Sequence, residues 1–142
     1  MEIQYGNRQI FLLLSLLYEN KGWGSINYQV DHIFPQSRLD RKFLMKNNVP
    51  MSKIEELQAC TNRIGNLQLL VGAENLEKSD YSFEDWIRTR DSSFQEKHLL
   101  PDNEHLWSIM MLPKFVAERE RLILQRLSAL QGDPMQSSQT IS

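Results

Sequence analysis

Asp31 and His32 stand side by side in this chain, and two asparagines, Asn66 and Asn75, follow at longer range. A carboxylate beside an imidazole, with amide oxygens in reserve, is a compact set for holding one hard cation next to a base. Magnesium takes a few oxygen ligands and keeps several of its own waters. A neutral imidazole beside such an ion can accept a proton from an attacking water. The chemistry these residue types support together is metal-assisted hydrolysis of a phosphodiester. Singly, each has a plainer use. Aspartate caps turns where strands end, and a lone histidine is more often packed or exposed than catalytic. His98 and His105 receive that plain reading.

The flanking sequence must bring these residues together. Residues from about Arg8 to Tyr18 read as a first helix, stopped at Gly22-Trp23-Gly24. Tyr28-Gln29-Val30 favours an extended strand leading into Asp31. Pro35 then forces a turn and holds Phe34 extended. Neighbours on an ideal strand face opposite ways, so Asp31 and His32 share one phosphate only if the strand is already breaking up. Ser52-Lys53-Ile54-Glu55 is a capping-box pattern that opens a helix to about Thr61. Leu67 to Val71 reads as a second strand ended by Gly72, with a helix starting near Ala73 or Glu74. Another helix begins at Ser82-Phe83-Glu84-Asp85 and reaches Phe94 to His98. Asp102 or Asn103 caps a short helix to about Met111, and Pro113 suits the first turn of the last one. Phe115, Val116, Leu122, Ile123, Leu127 and Leu130 recur there near the helical period. Gly132 and Pro134 end that helix and leave 132–142 as a Ser/Gln/Thr-rich flexible tail. The fold class expected is α+β and mostly helical: strand, long excursion, strand and helix, surrounded by further helices.

Three blocks in this order carry a family resemblance: Asp-His-Ile-Phe-Pro-Gln-Ser at 31–37, Ile-Gly-Asn-Leu-Gln-Leu-Leu at 64–70, and Asn-Leu-Glu-Lys at 75–78. The chain resembles HNH nucleases of the ββα-metal class. More narrowly, it resembles the C-terminal HNH domain of GmrSD-like, modification-dependent type IV restriction enzymes. A weaker similarity continues through Phe83 and Trp86 to Arg119-Glu120-Arg121, so it covers most of the chain. The resemblance implies a single HNH domain over 1–131, with a ββα-metal core at about 28–80 and C-terminal helices at about 82–131. It also implies that Asp31 and Asn75 ligate Mg2+, for which Mn2+ substitutes, and that His32 is the general base. Asn66 would brace the loop carrying that base through hydrogen bonds to backbone. Asparagine after glycine also suits an ordinary turn, whereas the Leu-Gln-Leu-Leu run that follows argues that Asn66 begins a strand. Lys78 shares a helix face with Asn75. It either reaches the phosphate as a point charge or pairs with Glu74, and the salt bridge is the favoured use. Arg63 and Arg38 are further phosphate-binding candidates. Asn75 stands where many family members have histidine, which favours magnesium or manganese over nickel or zinc.

At 142 residues the chain is one domain, large enough to bury its own core. Its single cysteine, Cys60, excludes an internal disulfide and a structural zinc held by paired cysteines. It fits a reducing, cytoplasmic setting. The apolar run from Ile10 to Tyr18 is shorter than the roughly twenty residues a membrane-spanning helix takes. It also lacks the flanks of a signal peptide, so no membrane partner is expected. A formal charge of −2 counts against a polyanionic partner. Yet Arg38, Arg41, Lys42, Lys46, Lys53 and Arg63 face only Asp40, Glu55 and Glu56 in the same stretch. That stretch could meet a nucleic-acid backbone, although a solvated helical face is the commoner meaning of such charges. The weak overall charge implies that most affinity for DNA is supplied elsewhere.

The expected function is a magnesium-dependent endonuclease that nicks or cleaves DNA in restriction or anti-phage defence. An RNA-cleaving toxin with the same metal site, or a non-catalytic nucleic-acid-binding ββα domain, are the competing readings. No Gly-rich nucleotide-binding motif is present, so any NTPase or sensor function would belong to an N-terminal domain or a partner subunit. The abrupt opening helix favours the C-terminal part of a longer protein over a complete one.

Overall fold

Alternating side chains along two five-residue segments fix the sheet. Strands β1 (Tyr28–His32) and β2 (Leu67–Val71) pair antiparallel, with Gln29 opposite Leu70, Asp31 opposite Gln68 and His32 opposite Leu67. Because faces alternate along a strand, Gln29, Asp31, Gln68 and Leu70 share one side. Tyr28, Val30, His32, Leu67 and Leu69 share the other. The structure, a computed structural model, describes residues 9–18 and 28–141, with backbone alone for 131–141. Arg8 and the helix stop expected at Gly22-Trp23-Gly24 lie outside the described residues.

Among those residues seven helices surround the strand pair: α1 (Gln9–Leu17), α2 (Arg41–Lys46), α3 (Met51–Ala59), α4 (Gly72–Lys78), α5 (Phe83–Ile87), α6 (Ser92–Lys97) and α7 (Leu112–Ile141). The mostly helical α+β class expected from the sequence holds. Ile10, Leu14 and Leu17 line the buried face of α1 at helical spacing. With Tyr18, Leu67, Leu69 and Ile123 they form one core cluster. A second, larger cluster gathers the chain after His32 with α2, α3, α5 and the start of α7. At its centre the rings of Phe34, Phe83 and Phe115 meet pairwise at 4.9–5.0 Å between centroids. Each buried ring contributes about 1.5–3 kcal/mol relative to exposure, so Phe34 anchors the segment that leaves β1.

One contact between distant parts of the chain bears directly on the strands. The turn Ile64–Asn66, which leads into β2, lies against α7. A Cβ on Gly65 would fall 2.6 Å from the Val116 carbonyl oxygen and 2.9 Å from the Glu120 and Val116 side chains. Only glycine permits that approach. Arg119 is fully buried beneath the turn and donates to the carbonyls of Ile64 (2.9 Å), Leu67 (2.6 Å) and His98 (3.1 Å). Glu120 accepts from Arg63 (2.6 Å) and from the Gly65 amide (3.2 Å).

Several boundaries differ from those expected. β1 continues through Asp31 and His32 instead of dissolving before them. Asn66 closes the turn, and the strand begins one residue later. α3 starts at Met51 behind Pro50, whose φ of −58° already suits a helix entry, so Ser52 caps nothing. Segment 82–98 breaks into α5, capped by Ser82, and α6, where Asp91 accepts from the Phe94 amide at 2.9 Å. A side-chain acceptor of that kind competes with helix continuation. Residues 104–111 form two short 3₁₀ turns, Glu104–Leu106 and Ile109–Met111, instead of one helix. The backbone of α7 remains helical through Gly132 and Pro134 to Ile141, so the end expected at those residues is absent. Once anchored, a helix gains one hydrogen bond per residue added, and a single proline costs it about 3 kcal/mol without forbidding it.

Candidate active site

β1 ends at His32, and Pro35 then turns the chain into a 3₁₀ turn, Gln36–Arg38. From the other end, α4 folds back across the Gln29 and Asp31 side of the sheet. A cleft of about 350 Å³ opens between them, lined by Asp31, His32, Asn75 and Lys78 together with Pro35, Gln36, Ser37, Ser79 and Asp80. Although Asp31 and His32 belong to opposite sides of β1, both reach this cleft because the strand stops there.

The cleft's oxygens are oriented by hydrogen bonds. Oδ2 of Asp31 accepts from Gln68 Nε2 at 3.0 Å and lies 3.2 Å from Lys78 Nζ. Oδ1 takes no hydrogen bond among the described residues. Asn75 donates its amide nitrogen to Gln29 Oε1 at 2.5 Å, and its carbonyl oxygen takes no hydrogen bond among the described residues. One carboxylate oxygen and one amide oxygen on the same cleft suit a hard cation that keeps most of its waters. Among the described residues no three His, Cys, Asp or Glu side chains gather into a cage of the zinc type. Hard, oxygen-only donation fits magnesium or manganese.

His32 is almost enclosed, at 9% exposure, and its Nε2 lies 2.9 Å from Asn62 Oδ1. Burial pushes its proton affinity below the ordinary histidine value of 6.5, against opposing pulls from Asn62 and Asp31. The ring is therefore neutral at neutral pH. Asn66 is fully buried. Its Oδ1 accepts from the Phe34 amide (2.8 Å), and its Nδ2 donates to the carbonyls of Phe34 (3.2 Å) and Thr61 (2.8 Å). Its own carbonyl accepts from Ile33 (2.8 Å). One asparagine thus ties the chain just beyond His32 to the turn before β2.

Lys78 departs from the expectation. Its ammonium is buried, donating to the His32 carbonyl at 2.9 Å and pairing with Asp31, and it makes no bridge to Glu74. The C-terminal end of α4 faces inward, where a carboxylate and a carbonyl can compensate a desolvated charge better than an exposed glutamate. Burial lowers the proton affinity of Lys78, and Asp31 opposes that shift. Arg63 and Arg38 do not line the cleft. Arg63 is engaged by Glu120 against α7, and Arg38 donates to the Asp80 carbonyl (2.8 Å) while lying over Phe43. Ser79, at φ 48°, turns the chain so that Asp80 follows at the rim. His98 is buried and bonded to the Tyr18 hydroxyl (2.7 Å), and His105 is exposed, as their plain readings had them. The sequence reading missed Asn62, Gln68, Gln29 and Asp80. Pairing the two strands in register would have exposed Gln68 as the partner of Asp31; Asn62 carries no spacing signal.

The sequence matches the family described as GmrSD restriction endonucleases, C-terminal domain, over residues 2–128. The chain belongs to that family. The GmrSD match extends past Arg119 and Glu120, so it includes the part of α7 that supports the turn as well as the three blocks around the cleft. Membership makes this a nuclease-type domain of the restriction class. No curated protein sequence matches the chain. No helix among the described residues of this GmrSD domain is long and apolar enough to cross a membrane.

Proposed function

We propose that this GmrSD C-terminal domain is a metal-dependent HNH endonuclease that hydrolyses DNA phosphodiesters in a cytoplasmic restriction or anti-phage system. The observation that carries the proposal is the meeting of Asp31, His32 and Asn75 on one cleft, with one oxygen of Asp31 and one of Asn75 unengaged among the described residues. Asp31 and Asn75 would hold magnesium or manganese through those two oxygens, and the bound ion would supply polarisation of the scissile phosphate and stabilisation of charge on the leaving 3′ oxygen. His32, kept neutral by burial, takes the proton of the water attacking in line. Lys78 and Gln68 hold Oδ2 of Asp31, which leaves Oδ1 for the ion. Asn66 fixes the segment on which the base is carried. One such site cuts one strand, so a double-strand break takes two copies or two events. Recognition of the target, and any nucleotide hydrolysis, falls to an N-terminal domain or partner subunit.

The test is incubation of supercoiled plasmid with magnesium, with and without EDTA, beside His32→Ala. Open circles that form only with metal and only with His32 support the proposal. Nicking that survives His32→Ala refutes the assigned base. RNA cut while DNA stays intact would make the domain an RNase of the toxin kind. DNA bound but never cut would make it a binding module.

A further inference from the structure

We infer that Asn62 is a positioning residue that fixes the tautomer and ring orientation of His32. As a statement about catalysis this rests on the nuclease proposal; as a statement about the histidine it stands alone. The carboxamide oxygen of Asn62 can only accept a hydrogen bond. It lies 2.9 Å from Nε2, so that nitrogen carries the proton. A neutral imidazole has one ring proton, so its lone pair is on Nδ1, the atom that accepts the proton of the attacking water. Rotation of the ring would break the bond, so the same contact sets direction as well as tautomer.

Asn62 is itself held in place. It sits between α3 and the turn preceding β2, where Thr61 donates to Gln58 (3.2 Å), Arg63 to Cys60 (3.2 Å) and Asn66 to Arg63 (2.8 Å), all through backbone. The Asn66 side chain grips both ends of the contact, donating to the Thr61 carbonyl beside Asn62 and bonding Phe34 two residues beyond His32. The separation of base and acceptor is therefore set by a third, fully buried side chain. A base held this way loses little freedom on reaching the transition state.

The test uses the whole metal-free chain and nitrogen NMR of its histidine rings, with His32→Ala for assignment. His32 should be protonated at Nε2, with a ring proton that exchanges slowly with water. Asn62→Ala should lose that slow exchange, and kcat per folded molecule should fall about tenfold while KM stays within about twofold, the worth of one good hydrogen bond. Asn62→Asp keeps an acceptor and should restore the slow proton. A wild-type His32 protonated at Nδ1 overturns the inference, as does an Asn62→Ala protein that retains both the slow proton and full kcat. A wild-type chain that shows the slow Nε2 proton but nicks no DNA ends the nuclease proposal and leaves the tautomer assignment standing.

Discussion

Replacing Asp31 by asparagine keeps the shape of the side chain and removes the negative charge paired with a buried ammonium. Lys78 Nζ lies 3.2 Å from Asp31 Oδ2, with side-chain exposures of 1% and 11%. Removing one partner of a buried pair costs about 3–5 kcal/mol, because the survivor is left charged and desolvated. Lysine has an escape, which is to release its proton. From an ordinary value of 10.5, neutralising it costs about 5 kcal/mol at pH 7 and about 2 kcal/mol at pH 9, at 1.36 kcal/mol per pH unit. Asp31→Asn should therefore lose about 3–5 kcal/mol at pH 7 but no more than about 2 kcal/mol at pH 9. The sign follows from proton binding. Burial depresses the folded value, so between it and 10.5 the unfolded chain holds the extra proton and the variant gains stability as pH rises. Urea unfolding followed by tryptophan fluorescence, against wild type at each pH, measures both losses. Asp31→Asn combined with Lys78→Met should recover most of the stability, since an apolar side chain of similar volume replaces the stranded charge. A single variant within about 1 kcal/mol of wild type at pH 7, or a double variant no better than the single, would show that the pair is not buried as described.

Because burial lowers the proton affinity of His32, the base stays neutral as pH falls past 6.5. Plasmid nicking should hold level there and decline only further into acid; an acid limb centred above pH 7 would contradict the assignment. Asn66→Ala strips the partners from the Phe34 amide and from the Phe34 and Thr61 carbonyls. It should cost about 3 kcal/mol in chemical unfolding and speed amide exchange at Ile33 and Phe34, and unchanged exchange there would remove the bracing role. Gly65→Ala drives a methyl against the Val116 carbonyl and should cost about 1–3 kcal/mol. Calorimetry showing wild-type stability would mean that the turn does not lie against α7.

How much could be read in advance depended on the range over which each signal acts. Pro35, the Leu67–Val71 run and Gly72 act on their own neighbours, and the strand–turn–strand–helix order followed from them. Charged side chains were harder. Local spacing rules see only partners on the same helix, so Lys78 was assigned to Glu74 although its counter-charge comes from β1. Arg63 and Arg38 belong to a stretch with more basic than acidic residues, which makes them phosphate-binding candidates in the sequence. Their actual partners, Glu120 and the Asp80 carbonyl, arrive only through folding. The split between α5 and α6 had a local sign in Asp91, three residues before Phe94, which the longer apolar pattern obscured. At the cleft, the adjacency of Asp31 and His32 was legible, but the side chains that aim them, Gln68 and Asn62, were not.

The hold that α7 has on the Ile64–Asn66 turn means that the ββα signature is not a portable cassette in this chain. A fragment trimmed to the signature would keep every residue of the cleft yet lose the floor beneath Gly65 and the guanidinium that gathers the carbonyls of Ile64 and Leu67. The same linkage gives the distal helix leverage. Any sliding of α7 by a fraction of a turn must pull on Gly65, and through Asn66 on the clasp around the imidazole.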